Sequence, residues 1–264
     1  MYRAIITLTT DFGLKDPYVA EMKAFILSIK PKATVVDITH EIEKFNIRMG
    51  AYVLASASPY FPKGTIHAAV IDPSVGAKRR PILIEAKKGF YVGPDNGVLI
   101  LAAKNEGVQH IYKMVNRRLM LSKVSNTFHG RDIFAPAAAH LSNGIPPEEF
   151  GPEIHKVSTP DFAKVMKRKN MLTGEVMHID GFGNIITNLS EKDLETMKIN
   201  QKVNVKLKNA QLKLKLCKAY AEVERQQPLA IIGSHNFMEI SINQGNAATF
   251  FKVKSGDKVT VFLS

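Results

Sequence analysis

The feature that most constrains this chain's fold is a change of hydrophobic period partway along it. In the first part, short apolar runs alternate with helical spacing. Ala4-Ile5-Ile6-Thr7-Leu8 is a buried strand pattern, and Val19, Met22, Ile26 and Ile29 then share one helical face down to Pro31. Asp16-Pro17 reads as an N-cap followed by proline at the first helical position. Thr34 to Ile38 is a second strand, about Ile47 to Tyr60 a second helix, and Thr65 to Ile71 a third strand. This βαβαβ order predicts an α/β sheet domain. Pro81 to Ala86 and Phe90 to Gly93 bracket a hairpin turn at Lys87-Lys88-Gly89, and a helix from about Arg131 to Leu141 is expected to kink at Pro136. From Leu172 onward the period becomes two, in short strands at Gly174 to Ile179, Ile185 to Leu189, Val203 to Lys208, Leu212 to Leu216, Leu229 to Ile232 and Lys258 to Leu263. Such strands, punctuated by Gly and Asn, suggest a small β-barrel or sandwich. The expected organisation is residues 1–150 as the N-terminal domain, 151–171 as a Pro- and Lys-rich linker, and 172–264 as a smaller C-terminal domain.

Composition limits the partners. No apolar run reaches the roughly 18 to 20 residues that span a bilayer, and the opening MYRAIITLTTDFG has no signal-peptide pattern, so a cytoplasmic protein without membrane contact is expected. The single Cys217 excludes an intramolecular disulfide and a cysteine-rich metal cluster. A net charge of +12 raises nucleic acid as a partner. Many of the lysines, however, alternate with Val and Leu in the strands at 203–208 and 212–216, the period of a sheet with one solvated face. The solvated-face reading is preferred, with nucleic-acid binding as its alternative.

Three polar segments sit where strands are expected to end: Thr9-Thr10-Asp11-Phe12-Gly13, Asp72-Pro73-Ser74-Val75-Gly76 followed by Arg79, and Thr127-Phe128-His129-Gly130-Arg131-Asp132. Open α/β sheets bind ligands beyond the carboxyl ends of their strands, so these segments suggest an enzyme site. Asp11 suits the two hydroxyls of a ribose, or a turn cap. Neither a G-x-G-x-x-G fingerprint nor a P-loop is present, which favours a nucleoside without a phosphate tail. Asp72 can pair with Arg79 and leave guanidinium donors for an anion or a polarised water, which His129 would orient; a turn former and surface charge are the plain alternatives. Metal catalysis is the competing chemistry, but no H-E-x-x-H or H-x-H occurs and no metal is expected. In the second half, Asp180 and Asn184 within IDGFGN suit an amino-acid moiety and Phe182 a base or a cation, against the alternative of a tight turn. Gly233-Ser234-His235-Asn236 and Gly245-Asn246-Ala247-Ala248 offer small residues where a flat base would enter.

Taken in order, TTDFG at 9–13, VVDITHEI at 35–42, DPSVG at 72–76, GPDNG at 93–97, TFHGRD at 127–132, IDGFGN at 179–184 and GNAA at 245–248 resemble the S-adenosyl-L-methionine hydroxide adenosyltransferase family, or S-adenosylmethionine hydrolases, relatives of fluorinating and chlorinating enzymes. The resemblance implies an α/β domain followed by a β-barrel, a homotrimer with substrate between the N-terminal domain of one subunit and the C-terminal domain of its neighbour, and no cofactor. It implies that Asp72, Arg79 and His129 activate water, that Asp11 holds the ribose and Phe45 lines the pocket, and that Asp180, Phe182, Asn184 and Ser234, with the small residue Ala247, meet the methionine or adenine portions. The expected reaction is hydrolysis of S-adenosylmethionine to adenosine and methionine by in-line attack at C5′. Halogenating relatives carry a tyrosine and a threonine in the DPSVG region and a serine just after the histidine; here stand Asp72, Ser74 or Val75, and Gly130. A carboxylate repels halide and glycine offers it no side-chain donor, so the departure favours water. Where those relatives have an arginine after the serine matching Ser234, this chain has His235.

Overall fold

The computed structural model describes residues 5–197, 202–208 and 210–262. Ala4 and Leu263, at the outer ends of the first and last expected strands, lie outside the described residues. The chain divides into two compact units, Met1–Thr159 and Pro160–Ser264.

The first unit runs β1 (Ile5–Thr10), α1 (Tyr18–Ile29), β2 (Thr34–Thr39), α2 (Ile47–Ala57), β3 (Thr65–Val70), β4 (Pro81–Ala86), β5 (Gly89–Pro94), α3 (Ile100–Glu106), β6 (Val108–Lys113) and α4 (Ala135–Ser142). Its sheet has the order β2-β1-β3-β5-β4-β6. β1 pairs in parallel with both β2 and β3, and β3 with β5, while β4 is antiparallel to its neighbours. Alternation along β3 divides the core. Ile66, Ala68 and Val70 join Met22 and Ile26 of α1 and the alanines of α4 on one face, and Ala69 and Ile71 join Leu54 of α2 and Ala102 of α3 on the other. With α1 and α2 on opposite faces, the strand order reverses between β1 and β3, and a crevice opens beyond their carboxyl ends.

Two expectations for this unit are corrected. Asp16 does not cap α1: Pro17 occupies the cap position without a side-chain hydrogen bond. The helix expected over 131–141 is two segments, a π-helical turn Gly130–Phe134 running into α4. Pro136 lies in the first turn of α4, where a missing N–H costs nothing, so the irregularity precedes the proline.

The second unit is a closed barrel of seven strands: β8 (Met171–Ile179), β9 (Ile185–Ser190), β10 (Lys202–Leu207), β11 (Ala210–Cys217), β12 (Pro228–Ile232), β13 (Phe237–Ile242) and β14 (Lys258–Phe262). The order β14-β10-β11-β12-β13-β9-β8 closes through pairing of β14 with β8. The short β7 (Met166–Arg168) adds to β8, so the end of the expected linker already belongs to this sheet. Two short helices complete the unit, α5 (Glu191–Thr196) and α6 (Ala247–Phe251). Val203, Val205, Leu207 and Leu214 fill the barrel, while Lys202, Lys206, Lys213 and Lys215 stand exposed on its outside. Closure removes the open sheet edge that such strands would otherwise present. No helix among the described residues is long and apolar enough to cross a membrane.

Candidate active site

The crevice beyond β1 and β3 collects the N-terminal candidates. Asp11 follows β1 directly, and Asp72 follows β3 two residues on. Arg79 donates from Nε to Asp72 Oδ2 at 2.8 Å, and its Nη2 reaches the same oxygen. Nη2 also lies 2.6 Å from His129 Nδ1. A guanidinium only donates, so Nδ1 is the acceptor and His129 carries its proton on the other nitrogen. Burial, and then the adjacent charge of Arg79, hold His129 below the ordinary histidine range, against weaker opposite pulls from Asp72 and the Ser125 carbonyl. The Asp72 and Arg79 side chains are only 5% and 7% exposed, and the guanidinium sits 5.3 Å from the Phe134 ring. Desolvation strengthens such a pair once formed and makes either half costly alone.

His129 is not at the end of a strand, as its motif suggests; it is the N-cap of the π-helical turn. Single π turns recur at functional sites because the extra residue re-aims neighbouring side chains. Asp132 in this turn is fully buried; burial pushes its carboxyl up, but hydrogen bonds from Arg131 and from Ser125 outweigh that and hold it down. Its Oδ2 accepts from Ser125 N at 2.7 Å, which ties the loop before His129 to the turn after it. The 72–76 turn meets the same loop. Gly76, at φ +79°, passes so close to Asn126 that a Cβ would stand 2.3 Å from its carbonyl oxygen.

Asp11 is 5% exposed, its Oδ2 accepts from Phe45 N at 2.8 Å, and it lines a cavity of about 410 Å³. Asp11, Phe45, Asp72, Val75, His129 and Gly130 all line this cavity. Phe12, Tyr18 and Phe128 make one wall as a mutually edge-on trio with centroids 5.1 to 5.8 Å apart. Edge-on aromatic rings of this kind offer a rigid apolar surface to a flat ring or a cation. Phe45 itself is 67% exposed and held at φ +65°. Lys44, whose Nζ donates to the Asp11 carbonyl, lines the same cavity. The sequence reading missed Phe12, Tyr18, Lys44 and Phe128 as lining residues. Phe12 and Phe128 lay within motifs already singled out, whereas nothing local marked Tyr18 or Lys44.

Among the C-terminal candidates, Asp180, Phe182, Asn184 and Ala247 gather where β9 begins and β13 ends, whereas Ser234 lies at the other end of these two strands, where Phe237 pairs with Ser190. Asp180 closes the β8–β9 turn by accepting from Phe182 N, Asn184 N and Asn184 Nδ2, each at 2.9 Å. Phe182 at the tip is 82% exposed. Gly183 lies against Asn246, and its carbonyl accepts from Ala248 N at 3.0 Å, which joins this turn to the start of α6. The Ala247 side chain is buried in the barrel core, so only its backbone is available to a ligand. Ser234 lies in the β12–β13 turn, beside Gly233, which packs on Glu239. Burial raises the Glu239 carboxyl, a hydrogen bond from Tyr220 opposes, and the charge of Asp180 adds to the rise. Among the described residues no group of three or more His, Cys, Asp or Glu is placed to hold a metal.

Comparison with known proteins covers both units. The family model for the SAM hydroxide adenosyltransferase N-terminal domain matches residues 6–151, and that for the C-terminal domain residues 174–260. A protein of Methanocaldococcus jannaschii named (R)-S-adenosyl-L-methionine hydrolase is 41% identical over 97% of this chain and 95% of its own. A fluorinase of an Actinoplanes species is 27% identical over 97% of each. Among solved structures, an uncharacterised conserved protein from Thermotoga maritima superposes with a TM-score of 0.87 at 37% identity, covering 98% of this chain and 100% of that one.

Proposed function

The chain belongs to the SAM hydroxide adenosyltransferase family, and from that membership we propose that it hydrolyses S-adenosyl-L-methionine to adenosine and L-methionine. The observation that carries the mechanism is the Arg79 bridge between Asp72 Oδ2 and His129 Nδ1, beside a cavity that also holds Asp11. In the proposed reaction the water oxygen bonds to C5′ while the C5′–S bond breaks and its electron pair returns to sulfur. Positive sulfonium thereby leaves as neutral methionine, which needs no general acid. The task left to the protein is to hold and deprotonate water. Neutral His129 has its acceptor nitrogen committed to Arg79, so the Asp72 carboxylate is the group that takes the proton. Arg79 stabilises the hydroxide character that develops, and Asp11 fixes the ribose so that attack is in line with sulfur.

The same proposal assigns Phe45 to the pocket wall and Asp180, Phe182, Asn184, Ser234 and the Ala247 backbone to the methionine or adenine portions. It includes a homotrimer with each site between subunits, a cytoplasmic setting, and no metal or cofactor. The exposed rings of Phe45 and Phe182 support the assembly, since a neighbouring subunit would cover them. Gly130 supports water over halide: a Cβ there would crowd Phe128, Met22 and Phe12 at 3.1 to 3.3 Å, leaving little room for the halide-binding serine.

The test is turnover of both sulfonium epimers by wild type, Asp72→Asn and Arg79→Ala, with adenosine binding measured alongside. We expect turnover to fall about a hundredfold or more in each variant, the scale of a lost proton acceptor. Adenosine affinity should fall far less. Full activity in both variants would overturn the assignment.

A further inference from the structure

The VVDITHEI segment contributes no group to the reaction proposed above, yet it places a histidine almost out of solvent. His40 is 4% exposed, and Thr10 beside it is fully buried. Register explains the meeting. Leu8 pairs with Asp37 but Thr9 with Thr39, so a bulge at Ile38 advances β2 by one residue and carries His40 alongside the end of β1.

A directed chain of contacts results. Phe12 N donates to Thr10 Oγ1 at 3.3 Å, and Thr10 Oγ1 lies 2.9 Å from His40 Nδ1. His40 Nε2 is 3.1 Å from Asp37 Oδ1, somewhat off the line of a well-aligned hydrogen bond. Lys23 Nζ donates to Asp37 Oδ2 at 2.5 Å. Burial pushes the Asp37 carboxyl up, but its contacts with Lys23 and His40 prevail and keep it below its ordinary range. The hydroxyl of Thr10 has one hydrogen. Pointed at Nδ1, it serves two links of the series, Phe12 N–H to Oγ1 and O–H to Nδ1, and sets Nε2–H beside the Asp37 carboxylate. The backbone is tied at the same place, with Gly13 N donating to the His40 carbonyl at 2.8 Å. A hydroxyl, an imidazole and a carboxylate in this order resemble a hydrolytic triad, but a fully buried hydroxyl admits no substrate. What the series touches is the backbone of Phe12 and Gly13, the two residues that follow the carboxylate lining the cavity.

We propose that Asp37, His40 and Thr10 are positioning residues that fix the Asp11-Phe12-Gly13 turn and so set the protein's affinity for a ribose diol. The inference rests on the reading that Asp11 holds the ribose. Its test compares binding of adenosine and of 2′,3′-dideoxyadenosine by calorimetry in wild type, Thr10→Val, Thr10→Ser, His40→Gln and Asp11→Asn. Wild type should prefer adenosine. Thr10→Val should lose about tenfold in adenosine affinity, the scale of one broken buried hydrogen bond, while its affinity for the dideoxy compound changes by less than about twofold. Thr10→Ser, which keeps the hydroxyl, should restore most of the preference. His40→Gln reaches Asp37 but not Thr10 and should repeat the valine result even where Thr10→Val folds poorly. In turnover, KM should rise by more than kcat falls. Equal losses for the two ligands would make the contacts merely structural and overturn the inference. So would an undiminished preference in Thr10→Val and His40→Gln when Asp11→Asn abolishes it. If Asp11→Asn keeps the preference, the ribose reading itself fails and the inference falls with it.

Discussion

At the scale of single residues, one guanidinium organises the candidate chemistry. Arg79 spends one nitrogen on both a carboxylate and an imidazole, and the imidazole accepts only while neutral. Protonation of His129 would remove that acceptor and set two cations side by side. Because burial and Arg79 depress its pKa, the neutral form is the one present at neutral pH, and the charged form appears only as pH falls below the ordinary histidine range of about 6.5. We therefore expect kcat/KM to be flat near neutrality and to decline on the acid side below about pH 6.5, a limb that His129→Asn should lack at a uniformly lower rate. A profile declining only on the alkaline side would contradict this role. Asp11, Asp72, Arg79 and His129 were all legible as polar residues in glycine-rich segments after apolar runs. Their pairing was not, because sequence carries no record of which loop approaches which. Asp180 was legible as well, and the structure gives its oxygens three donors inside its own turn, which is the turn reading; its contact with a ligand belongs to the proposal alone.

At the scale of elements, the site depends on two loops pressed together. The 72–76 turn and the 125–129 loop meet at Gly76, whose positive φ and 2.3 Å clearance from Asn126 exclude a side chain. Gly76→Ala should lose about 1 to 3 kcal/mol of stability, read from denaturant unfolding, and should cut turnover by more than about tenfold as Asp72 and Arg79 part from His129. Unchanged stability and turnover would show that the loops have slack. Strands and the first two helices were legible because continuous and helical apolar spacing differ. The π turn at Gly130–Phe134 was not, since its residues carry an ordinary helical pattern and the proline drew attention one turn too late. The strand β6 and helix α3 also passed unnoticed, elements of six and seven residues, too short to display a period of their own.

At the scale of the whole molecule, the two units answer to different physics. The first buries polar groups within its sheet. His67 on β3 lies 2.8 Å from Thr7 Oγ1 and stacks 5.0 Å from Tyr91, and burial lowers it to about 4. The unfolded chain binds a proton near pH 6.5 that the folded chain refuses until about pH 4, so this contribution is intact above pH 6.5 and is lost as pH falls toward 4. At about 1.4 kcal/mol per pH unit the loss is on the order of 3 kcal/mol. Unfolding of wild type across that window should track it, and His67→Gln should flatten the curve; a wild-type stability independent of pH there would contradict the account. The short alternating strands were legible and pointed to a barrel or a sandwich; the pairing that makes it a closed barrel, β14 with β8, joins segments far apart in sequence.

The central claim is that water, held by Asp72, Arg79 and His129, attacks C5′ of S-adenosyl-L-methionine. Its most direct test is incubation of the purified protein with that substrate in chelator-treated, halide-free water enriched in oxygen-18, followed by mass spectrometry. The account predicts one heavy oxygen in adenosine and none in methionine. Turnover only after halide is added, adenosine formed without the label, or binding with no turnover would each contradict it.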